Sequence, residues 1–272
     1  MDSEPRFLGV SMLGGGKTIY LVAVKSKNVP GALGDIATRI GKAGLNILTA
    51  SDCSLPEAED SAVSFFLEPR EGEHSEEEVR RAVATSPFVT DVNVRTSSSK
   101  LMIDDLGFPV MYFPSGRAVI FPQKGIVAMF RDVIRMFGTG GESILFRAGY
   151  SVGTQGTNDL AKAVGEEDLQ AHTESFTSLF SALGWGKLEM VGGAEDLSSI
   201  RLRLEDGFES DGVKASKPAC HFTRGMVAGS AERIFGEPVT CEEAMCEAAG
   251  DPYCEFTVSR RIGSSKSGSS GS

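Results

Sequence analysis

Four of the five cysteines in this chain of 272 residues fall between Cys220 and Cys254, and that crowding constrains the fold more than any other feature. In a reducing compartment, clustered thiols point to a metal or to catalysis before disulfides. Glu243 lies three residues before Cys246, and Cys254 eight after it, beyond a turn carrying Gly250, Asp251 and Pro252 that can fold the chain back. The sulfurs of Cys220, Cys246 and Cys254 and the carboxylate of Glu243 can therefore meet, in the tetrahedral set that zinc favours. Four negative ligands around Zn²⁺ leave a local charge of about −2, which nearby backbone N–H groups must offset. With four protein ligands the site is closed, hence structural rather than catalytic. The spacing lacks the common CxxC pairs, so on pattern alone zinc and buried free thiols are level readings.

Length and an ordinary composition, 41% hydrophobic and 24% charged, predict two domains of a globular protein. The net charge of −10 repels phosphate backbones and argues against direct nucleic-acid binding. No apolar run approaches the ~20 residues of a membrane-spanning helix. The first residues are acidic and polar rather than basic then apolar, so the expected location is cytoplasmic, away from membranes. Gly14, Gly15, Gly16 and Lys17 lack the spacing and the preceding strand of a phosphate loop, and residues 1–17 read as a flexible leader.

Regular patterning starts at Thr18. Residues 18–25 are a nearly continuous apolar run suited to a strand buried on both faces. Past a turn at Asn28, Val29, Pro30 and Gly31, the apolar residues Leu33, Ile36, Ala37 and Ile40 share one helical stripe. Strands follow over residues 46–53 and 61–68. Ser75 and Glu78 form a capping box for a second helix facing inward with Val79, Ala82 and Val83. Val89, Val92 and Val94 mark a fourth strand. Strand, helix, strand, strand, helix, strand is the split βαβ, or ferredoxin-like, plan, with both helices on one face of an antiparallel sheet.

That plan, the Pro30–Gly31 turn and the phrase Gly44, Leu45, Asn46, Ile47 resemble the ACT domain over residues 19–95, within a domain bounded at 18–96. The resemblance implies a site for an amino acid or similar metabolite between first strand and first helix, and pairing of copies. A helix N-terminus at Gly31 would attract a carboxylate, with Asn28 and Asn46 supplying side-chain contacts. Equally, Asn28 merely shapes the turn and Asn46 merely starts the strand.

Residues 97–107 read as a linker, and 108–259 as a second domain. A hairpin with arms over 110–113 and 117–121 is expected around Pro114, Ser115 and Gly116, with helices over 126–137, within 142–164, and over 168–183 and 219–235. Strands are expected near 187–191, 199–205 and 254–258. The tail, 260–272, is Gly/Ser-rich and expected to be disordered.

Gly184, Trp185 and Gly186, then Cys220 leading a helix, then Gly236, Glu237, Pro238 and Val239, and the closing Gly250, Asp251, Pro252, Tyr253, Cys254, Glu255 and Phe256 resemble the 4-vinyl reductase domain. Arg147, Ala148, Gly149, Tyr150 and Gly153 fit its earlier helix. The family includes effector-binding domains of phenol- and xylene-sensing activators, and its fold is similar to the Bet3-like vesicle-tethering subunits, so the whole chain is expected to be α+β. The resemblance implies structural zinc held by Cys220, Glu243, Cys246 and Cys254; Cys241 is then a bystander thiol or a substitute for Glu243. It also implies a cavity for a small hydrophobic or aromatic molecule. Phe146, Tyr150, Phe176, Phe180, Trp185 and Phe222 are candidate walls, and His172 or His221 a polar tip, against plain core packing for each.

No Ser-His-Asp set, carboxylate pair or dinucleotide fingerprint is legible. The expectation is therefore a regulatory sensor, not an enzyme, working as a homodimer and signalling through a protein partner. The alternatives are an accessory subunit or weak enzyme of tetrapyrrole or aromatic metabolism, and a scaffold without ligand.

Overall fold

The computed structural model describes residues 8–53, 57–97, 100–112, 116–164, 169–193 and 199–261. The chain divides into two compact units, residues 1–110 and 111–272.

The first unit is built on a four-stranded antiparallel sheet in the order β3-β4-β2-β5, from β2 (Tyr20–Lys27), β3 (Leu45–Cys53), β4 (Asp60–Pro69) and β5 (Val89–Thr96). Helices α1 (Ala32–Lys42) and α2 (Glu76–Ala84) occupy the two crossovers. The element order expected from the periodicity is present. Tyr20, Val22 and Val24 pack with Ile36, Ile40, Val79 and Val83, so both helices cover one face. The capping box forms: Glu78 N–H donates to Ser75 Oγ at 3.2 Å and Ser75 N–H to Glu78 Oε2 at 2.8 Å.

Two short strands depart from the expected leader and linker. β1 (Ser11–Leu13) pairs antiparallel with β6 (Leu101–Ile103). The reason lies on the other face of the main sheet, where Ile19, Leu21 and Phe66 need cover and obtain it from Met12, Met102 and Leu106. This is why β2 is apolar on both faces: Tyr20, Leu21 and Val22 are all fully buried.

The second unit carries a two-stranded ribbon, β7 (Met111–Tyr112) with β8 (Gly116–Arg117), then α3 (Gln123–Phe137), α4 (Thr139–Val164) and α5 (Leu169–Ala182). Its antiparallel sheet runs β11-β12-β10-β9, from β9 (Lys187–Gly193), β10 (Ser199–Glu205), β11 (Val239–Met245) and β12 (Cys254–Arg260), with α6 (His221–Phe235) between β10 and β11. The hairpin's second arm is shorter than expected, because Val119, Ile120 and Phe121 are exposed and leave the ribbon. The expected turn residues Pro114 and Ser115, and the expected tail beyond Arg261, lie outside the described residues. Strand β11 was absent from the sequence expectation, its apolar residues interrupted by Glu242 and Glu243.

Helix α6 is buried over residues 225–231 and packs on the sheet through Met226, Val227, Ala228 and Ala231 against Leu202, Leu204, Phe256 and Val258. Against its other side lies α4, and the crossing is made by glycines. A Cβ on Gly149 would strike Phe222 O, on Gly153 Met226 O, on Gly225 Phe146 O and on Gly229 Tyr150 O. The two backbones therefore touch directly. The core shares no residue with the two clusters of the first unit.

Candidate metal centre

The hairpin of β11 and β12 and the start of α6 bring four side chains together. Cys220 is the N-cap of α6, Glu243 sits on β11, Cys246 opens a short 3-10 turn (Glu247–Ala249) and Cys254 is the first residue of β12. One ligand atom from each of the four lies within 4.8 Å of the others. Cys220 Sγ stands 3.7 Å from Cys246 Sγ and 3.7 Å from Cys254 Sγ. A disulfide needs ~2.05 Å. Tetrahedral coordination with Zn–S bonds of ~2.3 Å puts sulfurs about 3.8 Å apart, the spacing found here.

Glu243 supplies the second sign of fit. Its Oε2 accepts the Cys220 N–H at 2.9 Å, while its Oε1 is buried without a hydrogen-bond partner. A buried, bare carboxylate oxygen beside three sulfurs is an acceptor lacking a cation. Burial, together with the neighbouring Cys246, pushes the Glu243 carboxyl up to about 8, against the Cys220 N–H, which favours the anion. Among the thiols, hydrogen bonds from Cys220 and Cys254 hold Cys246 far below the usual thiol range, and those contacts push Cys220 up.

Local dipoles offset the negative charge. Glu247 N–H donates to Cys254 Sγ at 3.4 Å, and the N-terminus of α6 points its partial positive charge at Cys220. The loop between Cys246 and Cys254 is pinned by Asp251, whose Oδ2 accepts the Cys246 N–H at 2.8 Å, while its own N–H donates to Cys246 O at 3.2 Å. Cys241 stands outside the four-ligand group; burial pushes its thiol up to about 12.

Glu209 went unnoticed in the sequence. Its carboxylate accepts from Phe222 N–H at 2.9 Å and Thr223 N–H at 2.7 Å, capping α6 from a distant loop. Burial raises its carboxyl to about 7, opposed by those two N–H groups. No local signal marks it, because the cap lies more than ten residues before the helix instead of at its first position.

The candidate wall residues make different contacts around one core. Phe176 and Trp185 flank Phe180 edge-on, with ring centres 6.0 and 5.3 Å from it, and Phe176 borders an apolar space of about 20 Å³, room for one water. Phe222 stacks on Phe130, 4.9 Å away, and meets Phe208. Phe146 lines a separate cleft of about 410 Å³ with Arg224 and Cys241. Tyr150 Oη donates to Glu232 at 2.6 Å. His172 and His221 are both buried; His221 Nε2 lies 3.9 Å from Glu142, and burial lowers its pKa. Phe146, Tyr150, Phe176, Trp185 and Phe222 all pack against one core cluster, whose fully buried members include Phe180 and Met226.

In the first unit, Asn28 Nδ2 donates to Ala58 O at 2.9 Å, Gly31 is a left-handed N-cap of α1 with φ 87°, and Asn46 Nδ2 donates to Glu68 Oε1 at 3.3 Å. These bonds give both asparagines work in the loop and the sheet.

The fold and this cluster define a mixed α/β unit with a buried set of three cysteines and a glutamate able to hold a metal ion. Residues 200–260 match the 4-vinyl reductase domain family, a span containing all four ligand residues. Two uncharacterized proteins of Methanocaldococcus jannaschii are similar in sequence. MJ0855 is 38% identical over 70 residues, covering 25% of this chain and 31% of the relative. MJ0150 is 30% identical over 122 residues, covering 44% and 66% respectively. The chain thus spans less than two thirds of the length of either relative. Among solved structures, the phenol-responsive sensory domain of the transcription activator PoxR, with phenol, aligns with a TM-score of 0.50 at 19% identity, covering 55% of this chain and 79% of that one. That likeness is one of fold.

No helix among the described residues is long and apolar enough to cross a membrane.

Proposed function

We propose that this protein is a ligand-sensing regulator rather than an enzyme. Its second unit is a receptor of the 4-vinyl reductase type for a small hydrophobic or aromatic molecule, held in shape by structural zinc on Cys220, Glu243, Cys246 and Cys254. Its first unit, residues 18–96, is an ACT-type module for an amino acid or similar metabolite, contacted through Asn28, Gly31 and Asn46. The protein works as a homodimer in the cytoplasm and passes its state to a protein partner.

The observation that carries this reading is the four-ligand cluster inside the segment that matches the 4-vinyl reductase family, on a fold like that of a phenol-responsive sensory domain. Four protein donors saturate a tetrahedral ion, leaving no position for substrate, so zinc here supplies folding free energy and not a reactive water. A ligand shifts such a receptor only through unequal affinity for its two states.

Native mass spectrometry of freshly purified protein, with metal analysis of the same sample, tests the reading. One zinc per chain and a retained or titratable small-molecule mass are expected. Protein with no metal, or turnover of a vinyl substrate, overturns it.

A further inference from the structure

We propose that the cleft between α4, α6 and β11 binds a small apolar monoanion, a carboxylate on an aromatic or short aliphatic body, with Arg224 as its counter-charge. The inference rests on the ligand-sensing reading and gives its ligand a place and a charge.

The cleft measures about 410 Å³, within the range of small-molecule sites. Its apolar lining is Phe146 from α4 with Val239 and Cys241 from β11, the last two buried to 6% and 7% exposure. Arg224, half-buried on α6, lays its guanidinium over the Phe146 ring at 5.0 Å. Among the described residues that guanidinium has no ion pair and no hydrogen bond to a side chain or carbonyl. Glu142 attracts this half-buried cation only from beyond hydrogen-bond reach, so its N–H donors are left for a ligand to complete. A planar fork beside an aromatic ring suits a carboxylate whose apolar body rests on that ring.

The remaining charges limit the ligand to one negative charge. Arg261 adds a second cation at the exposed rim. Glu142 is taken up by Lys217 Nζ at 2.8 Å, and Glu242 lies exposed on the lining, so a dianion would meet repulsion. Another cleft, of about 490 Å³, is lined by Asp206, Asp211 and Glu247 with no Lys or Arg in its lining, and does not favour an anion.

Calorimetric titration of the full-length, metal-containing protein tests this with phenylacetate, 3-phenylpropionate and hexanoate, their uncharged amides, and phenol. At least one acid is expected to bind about tenfold or more tightly than its amide, a margin typical of a charge-assisted hydrogen bond. Arg224→Gln should abolish that preference while leaving amide binding unchanged. Amides or phenol binding as tightly as the acids to the native protein would overturn the anionic class and leave the sensor reading intact. Binding of no probe would overturn both. A preference for acid that survives in Arg224→Gln would remove Arg224 from the site. Should that variant fail to fold, the acid-to-amide ratio of the native protein still decides the anionic class.

Discussion

The two oxygens of Glu243 have different surroundings: Oε2 accepts the Cys220 N–H at the start of α6, and Oε1 is buried without a hydrogen-bond partner beside three thiols. Removing a sulfur from this set should therefore cost more than a buried thiol's packing. Cys246→Ser is expected to lose zinc, measured by metal analysis, and to destabilise the second unit by about 3 kcal/mol or more. Cys241→Ser, on the same strand as Glu243 but outside the ligand group, should keep full zinc and change stability far less. Glu209→Ala leaves the Phe222 and Thr223 N–H groups buried without acceptors and should cost about 2–3 kcal/mol by chemical denaturation, with zinc retained. At this scale the grouping of Cys220, Glu243, Cys246 and Cys254 was legible because the four lie in one short stretch that resembles a known family, though spacing alone left zinc and free thiols level. Glu209 and Arg224 were not, because what each touches comes from elements far apart in the chain.

Helix α4 offers a built-in comparison at the scale of the element. Gly153 faces Met226 O across the crossing, while Gly156, one turn on, faces open space. Gly153→Ala should force the helices apart and lower stability by several kcal/mol, on the order of an overpacked core. Gly156→Ala on the same helix should raise it by about 0.5–1 kcal/mol, since nothing opposes the gain in helix propensity. Thermal melts of the two variants decide the matter by their opposite signs. The capping box at Ser75 was readable because both partners lie within one turn. The ribbon of β1 and β6 was not: each strand has three residues, too few for a pattern, and its partner lies some ninety residues away. Only the apolar character of both faces of β2 hinted that something must cover the second face of the sheet.

For the whole molecule, separate cores predict separate transitions. Melting of the native protein should show two steps, and a strong chelator should lower only the one belonging to residues 111–272, followed by calorimetry with and without added zinc. A single transition that shifts as a whole would show that the two cores unfold together. The split βαβ order was legible across the first unit because alternation and helical stripes follow one another cleanly. In the second unit α6 has no polar stripe to reveal which way it faces, and its path became clear only with its glycines set against α4. That seam has a mechanical consequence. Two rods in bare contact have no cushion of side chains between them, so α4 could not move towards α6 without pushing on its backbone, at whose foot Cys220 sits.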